Sequence, residues 1–158
     1  MVKMTYYDKI SRGYEQLHRE EQLKKIFIIL DFVDEDDKIL DVGCGTGFYS
    51  KYFKNYKGID NSVKLIKNNK YCSYGKAEEL EFEDKSFDVV ICVTAIHNFD
   101  DYEKALNEMK RVRKKKVIIS LLKKSSKFDD IKKAIKKRFK VKEIDEEKDV
   151  IFVEKLVL

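Results

Sequence analysis

Three glycines at alternate positions follow the first strongly apolar segment of the chain, in Ile39-Leu-Asp-Val-Gly-Cys-Gly-Thr-Gly47. Glycine lets the backbone turn sharply and lets a ligand approach the main chain closely. A helix that begins after such a turn offers unpaired N–H groups to that ligand. The segment predicts either a ligand-binding loop or a purely structural strand-to-helix turn. A dinucleotide is disfavoured, because Phe48 stands where its motif needs the third glycine.

A second candidate, Asp60, ends the next short apolar segment, Tyr56-Lys-Gly-Ile59. A carboxylate at the end of the neighbouring strand can accept hydrogen bonds from both hydroxyls of a ribose. A third stretch, Tyr74-Gly-Lys-Ala-Glu-Glu-Leu80, precedes the apolar segment that begins at Phe87. The glycine loop, the acid and the third stretch occur in this order, and together they favour ligand binding over a structural turn.

The segment from Lys38 to Phe99 resembles the class I S-adenosylmethionine-dependent methyltransferases, whose first motif is D-x-G-x-G-x-G. It is similar to the broad group that includes ubiquinone/menaquinone-biosynthesis and tRNA wobble-uridine methyltransferases. The resemblance implies an enzyme with S-adenosylmethionine as its cofactor. It also implies that Asp41 helps to hold the methionine amino group, and that Gly43, Cys44 and Gly45 pass beneath the methionine moiety.

The same resemblance implies the contacts to the nucleoside. Asp60 and Asn61 match the second motif of the family, where the acid binds the ribose. One departure concerns adenine, because Lys76 stands where the family has an Asp that contacts the adenine amino group. A lysine cannot accept that hydrogen bond. Either Glu78 takes over this role, or the adenine rests on apolar contacts and on the Ala77 backbone.

The acceptor of the methyl group is expected beyond the fourth predicted strand, in Val93-Thr-Ala-Ile-His-Asn-Phe99. Ligands of α/β sheets lie outside the carboxyl ends of the strands. Val93 is a candidate cofactor contact, and His97 is the group there that titrates near neutrality. His97 is either the catalytic base that orients the acceptor or a helix-end histidine bonded to backbone. Tyr14 lies in a segment that resembles the N-terminal lid of the group, and its ring either covers the sulfonium by a cation–π contact or packs in the core.

The elements that must position these residues follow from the hydrophobic pattern. Short apolar segments alternate with helical ones, which implies βαβ units and a parallel sheet. The predicted strands are 38–42, 56–59, 71–74, 87–93, 116–122, 140–145 and 150–156, and the predicted helices are 20–33, 47–54, 62–69, 101–111 and 127–139. In the first helix, Lys24 and Lys25 are expected to point away from the core. The residues expected to face it are Leu23, Ile26, Phe27 and Leu30.

The predicted fold class is therefore α/β, with a Rossmann-like seven-stranded, mostly parallel sheet, helices on both faces and an antiparallel C-terminal hairpin. The resemblance implies the strand order 3-2-1-4-5-7-6. Length and composition fit a single class I methyltransferase domain over residues 1–158, with an N-terminal helical lid segment at 1–33 and the core at 38–158.

The cysteines and the apolar runs bear on the compartment. No apolar run reaches the roughly 20 residues of a membrane-spanning helix, so no membrane association is expected. The three cysteines, Cys44, Cys72 and Cys92, include no C-x-x-C pair. They predict neither a disulfide framework nor a metal site, and they favour a reducing cytoplasm.

The charge of the chain is uneven and bears on the acceptor. Residues 1–100 carry 15 Lys and Arg against 18 Asp and Glu, whereas residues 101–158 carry 19 against 11. The basic clusters at 110–116 and 132–140 are typical either of a surface that draws RNA or of the solvated side of an amphipathic helix. The sequence favours the second interpretation and a small-molecule acceptor. The alternatives are a tRNA methyltransferase that acts with a partner such as a small activator protein, and a non-enzymatic S-adenosylmethionine-binding protein.

Overall fold

The computed structural model describes the backbone of residues 6–156 and the side chains of residues 13–156. The strands are β1 Lys38–Val42, β2 Asn55–Asp60, β3 Cys72–Tyr74, β4 Phe87–Val93, β5 Arg113–Leu122, β6 Val141–Asp145 and β7 Asp149–Glu154. The α-helices are α1 Tyr6–Leu30, α2 Val63–Ile66, α3 Tyr102–Val112 and α4 Phe128–Arg138, and single 3₁₀ turns lie at Ser50–Tyr52 and Ile96–Asn98.

The seven strands form one sheet in the order β3-β2-β1-β4-β5-β7-β6, which is the predicted order. Strands β1 to β5 pair in parallel, and β7 is antiparallel to both β5 and β6. The α/β fold class and the antiparallel C-terminal hairpin are confirmed. Because the order reverses between β1 and β4, a crevice is expected outside the carboxyl ends of these strands.

Helices cover both faces of the sheet. The side chains of α3 and α4 that pack on one face are Leu106, Met109, Ile131 and Ile135. On the other face α1 packs through Ile26 and Ile29. Strand β4 lies between the two layers and is buried along almost its whole length, as its near-continuous apolar sequence predicts.

Two predicted helices, at 47–54 and 62–69, are much shorter than the pattern indicates. The first is reduced to one 3₁₀ turn and the second to four residues. The side-chain amide of Asn69 donates hydrogen bonds to the carbonyl oxygens of Thr46 at 3.1 Å and Gly47 at 3.0 Å, and so ties the two segments together. Such side-chain bonds to backbone compete with helical ones.

Strand β5 begins three residues before its predicted start, within a run of basic residues. The guanidinium of Arg113 donates Nε and Nη2 to the two carboxylate oxygens of Glu154 at 2.6 and 2.8 Å. This two-point pairing joins β5 to β7 and lets a charged segment enter the sheet.

Two predictions about α1 are wrong. Phe27, expected to face the core, is 50% exposed and packs edge-on against Tyr52. Lys25, expected to point away from the core, is 1% exposed, whereas its neighbour Lys24 lies at the surface. The three cysteines are buried free thiols, and burial raises the pKa of each of them. Within residues 6–156, no helix combines the length and the apolar character needed to cross a membrane.

Candidate active site

A cleft opens outside the carboxyl ends of the parallel strands, beside the point between β1 and β4 where the strand order reverses. Its lining consists of Gly43, Ile59, Asp60, Asn61, Gly75, Ala77, Glu78, Phe99 and Asp100. Five of these were predicted as cofactor contacts, namely Gly43, Asp60, Asn61, Ala77 and Glu78. The other four enter the cleft because the sheet order brings the ends of three separated segments together, and a local sequence pattern does not carry that information.

The glycine loop is shaped by backbone contacts. The N–H groups of Gly43 and Cys44 both donate to the carbonyl oxygen of Ile59, at 2.9 and 3.0 Å. Gly43 has a φ of 79°, and a Cβ atom there would lie 2.7 Å from the Cβ of Ala95. At Gly45, with a φ of 58°, an added Cβ would meet nothing within 4 Å. The loop is therefore closed against the protein at Gly43 and open at Gly45, where a ligand can approach the main chain.

The carboxylate of Asp60 is held in place by two backbone groups. Its Oδ2 accepts the N–H of Gly45 at 2.8 Å, and its Oδ1 accepts the N–H of Ser62 at 2.9 Å. An ionised carboxylate offers about four acceptor positions, so two remain free for a ligand. This orientation leaves Asp60 able to accept two hydroxyl groups from the cleft that it lines.

Asp41 is completely buried and makes an unusual contact. Its Oδ2 accepts two phenolic hydroxyls, from Tyr49 at 2.6 Å and from Tyr56 at 2.5 Å. Its Oδ1 has no hydrogen-bond partner among the described residues. Burial raises the pKa of Asp41 to about 6, and the two hydroxyls oppose that rise. Sequence reasoning missed both tyrosines, because it does not give the register that places Tyr56 beside Ile39 of β1.

Three further predicted cofactor contacts lie at the edges of the site. The side chains of Cys44 and Val93 are buried, and Cys44 packs with Cys72 and Ile66 below the glycine loop. Tyr14 is 71% exposed, so the alternative that it packs in the core is wrong. The interpretation of Tyr14 as a lid residue stays a prediction.

The segment predicted to contact adenine lies partly along the cleft. Lys76 is exposed and is not part of the lining, whereas Ala77 and Glu78 are. The Oε2 of Glu78 accepts the N–H of Asp101 at 3.2 Å, which ties this segment to the start of α3. Asp101 is the N-cap of that helix and accepts the N–H of Lys104 at 3.1 Å. Both proposed adenine contacts, the Glu78 carboxylate and the Ala77 backbone, therefore remain available.

His97 lies in the 3₁₀ turn that follows β4, at the predicted acceptor side. Its Nδ1 is buried and accepts no hydrogen bond from the described residues, which disfavours the interpretation of a histidine bonded to backbone. Burial lowers the pKa of His97 below its ordinary value, Asp149 raises it, and Lys127 and Lys25 lower it further. The imidazole is consequently neutral near pH 7, the state in which it can accept a proton.

These groups fit the cofactor that the sequence implies. The free acceptor positions of Asp60 suit the two hydroxyls of a ribose, and the unpartnered Oδ1 of Asp41 suits the ammonium group of a methionine moiety. The open space at Gly45 lies between these two acids along the chain, where the family's cofactor passes over the loop.

Comparisons with known proteins agree with the family that the motifs indicate. A family model described as a methyltransferase domain matches residues 40–121, just over half of the 158 residues. Demethylmenaquinone methyltransferase of Thermotoga maritima is 29% identical over 75% of this chain and 61% of its own. The chain thus spans about 61% of the length of the curated relatives that it matches first.

Two solved structures share the fold. A methyltransferase of Thermotoga maritima that depends on S-adenosylmethionine superimposes with a TM-score of 0.70 at 19% identity, over 93% of this chain and 97% of that one. A complex between the Haloferax volcanii Trm112 methyltransferase activator and a methyltransferase gives a TM-score of 0.66 at 16% identity, over 92% and 80%. The motif order, the sheet topology and the matched family model together show that this chain belongs to the class I S-adenosylmethionine-dependent methyltransferases.

Proposed function

We propose that this chain transfers the methyl group of S-adenosylmethionine to a small-molecule acceptor. In this proposal the segment 1–33 is a lid over a core at 38–158, of which residues 1–5 and 157–158 lie outside the described part of the chain. The observation that carries the proposal is the carboxylate of Asp60, held by the N–H groups of Gly45 and Ser62 at the mouth of the cleft. This carboxylate presents free acceptor positions beside Gly45. His97 lies in the turn after β4, the strand that pairs with β1.

The methyl group on the sulfonium of the cofactor is already activated. The residues of the chain therefore mainly bind the cofactor and align the acceptor with it. When bound, S-adenosylmethionine supplies a sulfonium methyl that an acceptor atom takes with its own electron pair, leaving S-adenosylhomocysteine. Asp60 would hold the ribose of the cofactor and Asp41 its amino group, and positioning of this kind can supply much of the rate. Neutral His97 accepts the proton that a hydroxyl or amine acceptor releases.

The ion pairs of the basic clusters favour a small acceptor over RNA. Lys132 and Lys136 both contact Glu143, at 3.3 and 3.1 Å. In the other cluster, Arg111 pairs with Glu108 and Asp84, as Lys115 does with Asp37. Lysines and arginines that are already neutralised by neighbouring acids release fewer counterions from a nucleic acid on binding. These ion pairs favour the interpretation of the two basic clusters as solvated protein surface.

Two further features belong to this proposal. A small activator protein is a candidate partner, since one structure of the same fold is a complex with such an activator. The cytoplasm is the proposed compartment, because the three cysteines are kept as buried thiols.

The proposal is tested in two steps. S-Adenosylmethionine and S-adenosylhomocysteine should raise the melting temperature, since a ligand that binds the native state stabilises it, whereas NADH and ATP should not. The protein is then incubated with methyl-labelled cofactor and cell extract, and the label is separated into small molecules, RNA and protein. Label confined to small molecules is the expected result. Label in RNA or protein would refute the proposed acceptor class, and the absence of transfer despite cofactor binding would favour a binding protein.

Replacing Asp60 by Ala should weaken the binding of S-adenosylhomocysteine by about tenfold or more. Hydrogen bonds to a charged group contribute roughly 1.5–3 kcal/mol each, and about 1.4 kcal/mol is a factor of ten in affinity. Titration calorimetry measures the loss, with Asp130→Ala on the exposed side of α4 as the control. Unchanged affinity in a folded Asp60 variant would place the ribose elsewhere.

The affinity for S-adenosylhomocysteine should fall as the pH drops through about 6. The pKa of Asp41 is raised to about 6, so its carboxylate is ionised above that pH and protonated below it. Only the ionised form attracts the ligand's ammonium group, and the loss approaches about tenfold per pH unit well below the pKa. Tyr56→Phe removes a hydroxyl that lowers this pKa and should move the midpoint upward.

The matched control for this titration is 5′-methylthioadenosine, which has the nucleoside but lacks the amino-acid group. Its affinity should not follow the titration of Asp41. If both ligands lost affinity in parallel, Asp41 would not hold the amino group, and the effect would lie in the glycine loop itself.

A further inference from the structure

A buried polar cluster lies at the acceptor edge of the sheet and has no part in the cofactor contacts. The ammonium group of Lys25 lies 3.0 Å from Asp149 Oδ1 and donates to the hydroxyl of Thr94 at 2.9 Å. That hydroxyl in turn donates to Asp149 Oδ2 at 2.6 Å. The side chains of Lys25 and Asp149 are 2% and 0% exposed. The cluster joins α1, the end of β4 and the start of β7.

Thr94 has a backbone that needs external support. Its φ is 50°, in the left-handed region, which is unfavourable for a β-branched residue. Its N–H donates to the carbonyl oxygen of Ser120 at 3.1 Å and to the hydroxyl of Ser120 at 2.9 Å. Strained backbone of this kind persists where the surroundings hold it, and it clusters at functional sites. Here it sets the direction of the turn that carries His97.

The charged groups that face His97 come from three elements. Asp149 of β7 raises the pKa of His97, whereas Lys25 of α1 and Lys127 before α4 lower it. An apolar pair would hold the helix on the sheet as well as a buried ion pair does. The charges of Lys25 and Asp149 are therefore better explained by their effect on His97 than by a contribution to stability.

We propose that Lys25, Thr94 and Asp149 form a positioning site, which fixes the acceptor-side segment 94–99 and sets one cation and one anion against His97. These are positioning residues, since they act through His97 and not on the acceptor. The inference rests on the proposed function for the role of His97 as proton acceptor. The same contacts join the C-terminal part of α1 to the segment 94–99, so a displacement of one is expected to move the other.

The test is the titration of the two histidines by NMR, because the chain contains only His18 and His97. His18 lies exposed on α1 and serves as the internal reference. Lys25→Met removes a cation and should raise the pKa of His97, whereas Asp149→Asn removes an anion and should lower it. A purely structural cluster would not move His97 in opposite directions.

A second arm uses a variant that removes no charge. Thr94→Val keeps the shape of the side chain and loses the hydroxyl, and Thr94→Ser is the matched control that keeps it. In the Val variant the amides of Asn98 and Phe99, which close the 3₁₀ turn, should exchange faster with solvent. The amides of β4 and β5 should keep their protection, and the Ser variant should resemble the wild type.

Either arm can overturn the inference. A His97 titration that does not move in folded Lys25 and Asp149 variants would make the pair structural only. Unchanged exchange at Asn98 and Phe99 in the Val variant would mean that Thr94 does not fix the segment. Neither measurement needs cofactor or acceptor, so failure here is distinct from a failure of cofactor binding or methyl transfer, which the labelling experiment reports.

Discussion

Replacing His97 by Asn is expected to lower the rate of methyl transfer by about 10²–10⁴-fold, the usual contribution of a positioned general base. The imidazole lies in the turn after β4, its Nδ1 has no hydrogen-bond partner among the described residues, and burial lowers its pKa. Asparagine keeps a polar side chain of similar reach but cannot take a proton. The rate is measured under saturating cofactor with the acceptor fraction that carries label.

Two further measurements separate a base from a structural residue. The affinity for S-adenosylhomocysteine should barely change in the His97 variant, since His97 does not line the nucleoside cleft. The wild-type rate should fall as the pH drops below the ordinary pKa range of histidine, because the pKa of His97 is lowered and only the neutral form accepts a proton. Full activity of His97→Asn with the true acceptor would show that His97 is not a base. The rate would then come from alignment of the acceptor with the cofactor alone.

Replacing Lys25 by Met is expected to lower the free energy of unfolding by about 3–5 kcal/mol, because it leaves the carboxylate of Asp149 buried without its partner. The two groups lie 3.0 Å apart and are almost completely buried. Urea denaturation should show this as a lower midpoint at an unchanged slope. The double variant Lys25→Met with Asp149→Asn removes both charges and should recover part of the lost stability.

The adjacent residue supplies a matched control. Lys24 pairs with Glu147 at 3.2 Å, and both side chains are 63% exposed. Exposed pairs contribute about 0–1 kcal/mol, so Lys24→Met should leave the midpoint almost unchanged. Equal effects of the two methionine variants would show that burial of the Lys25 pair contributes nothing beyond a surface contact.

Local patterns in the sequence determined the central strands and several residues that line the cleft. The bounds predicted for β1 and β4, 38–42 and 87–93, coincide with those in the structure. A strand that is buried on both faces must be apolar along nearly its whole length, so it can be recognised from consecutive residues in the sequence. Gly43 and Asp60 could be assigned for the same reason, since turn chemistry and an acid at a strand end are both local features.

Contacts between distant segments were decided by the tertiary structure alone. The two hydroxyls on Asp41 come from a loop and from β2, and the register that places Tyr56 there is set by the pairing of whole strands. The helical pattern predicts that Lys25 faces solvent. In the structure it is buried and pairs with Asp149, which is distant in sequence. A charge is expected at the surface unless a partner compensates it, and a sequence pattern does not contain the partner. For this reason the buried contacts of Lys25 emerged only once β7 was seen to lie beside β5 and against α1.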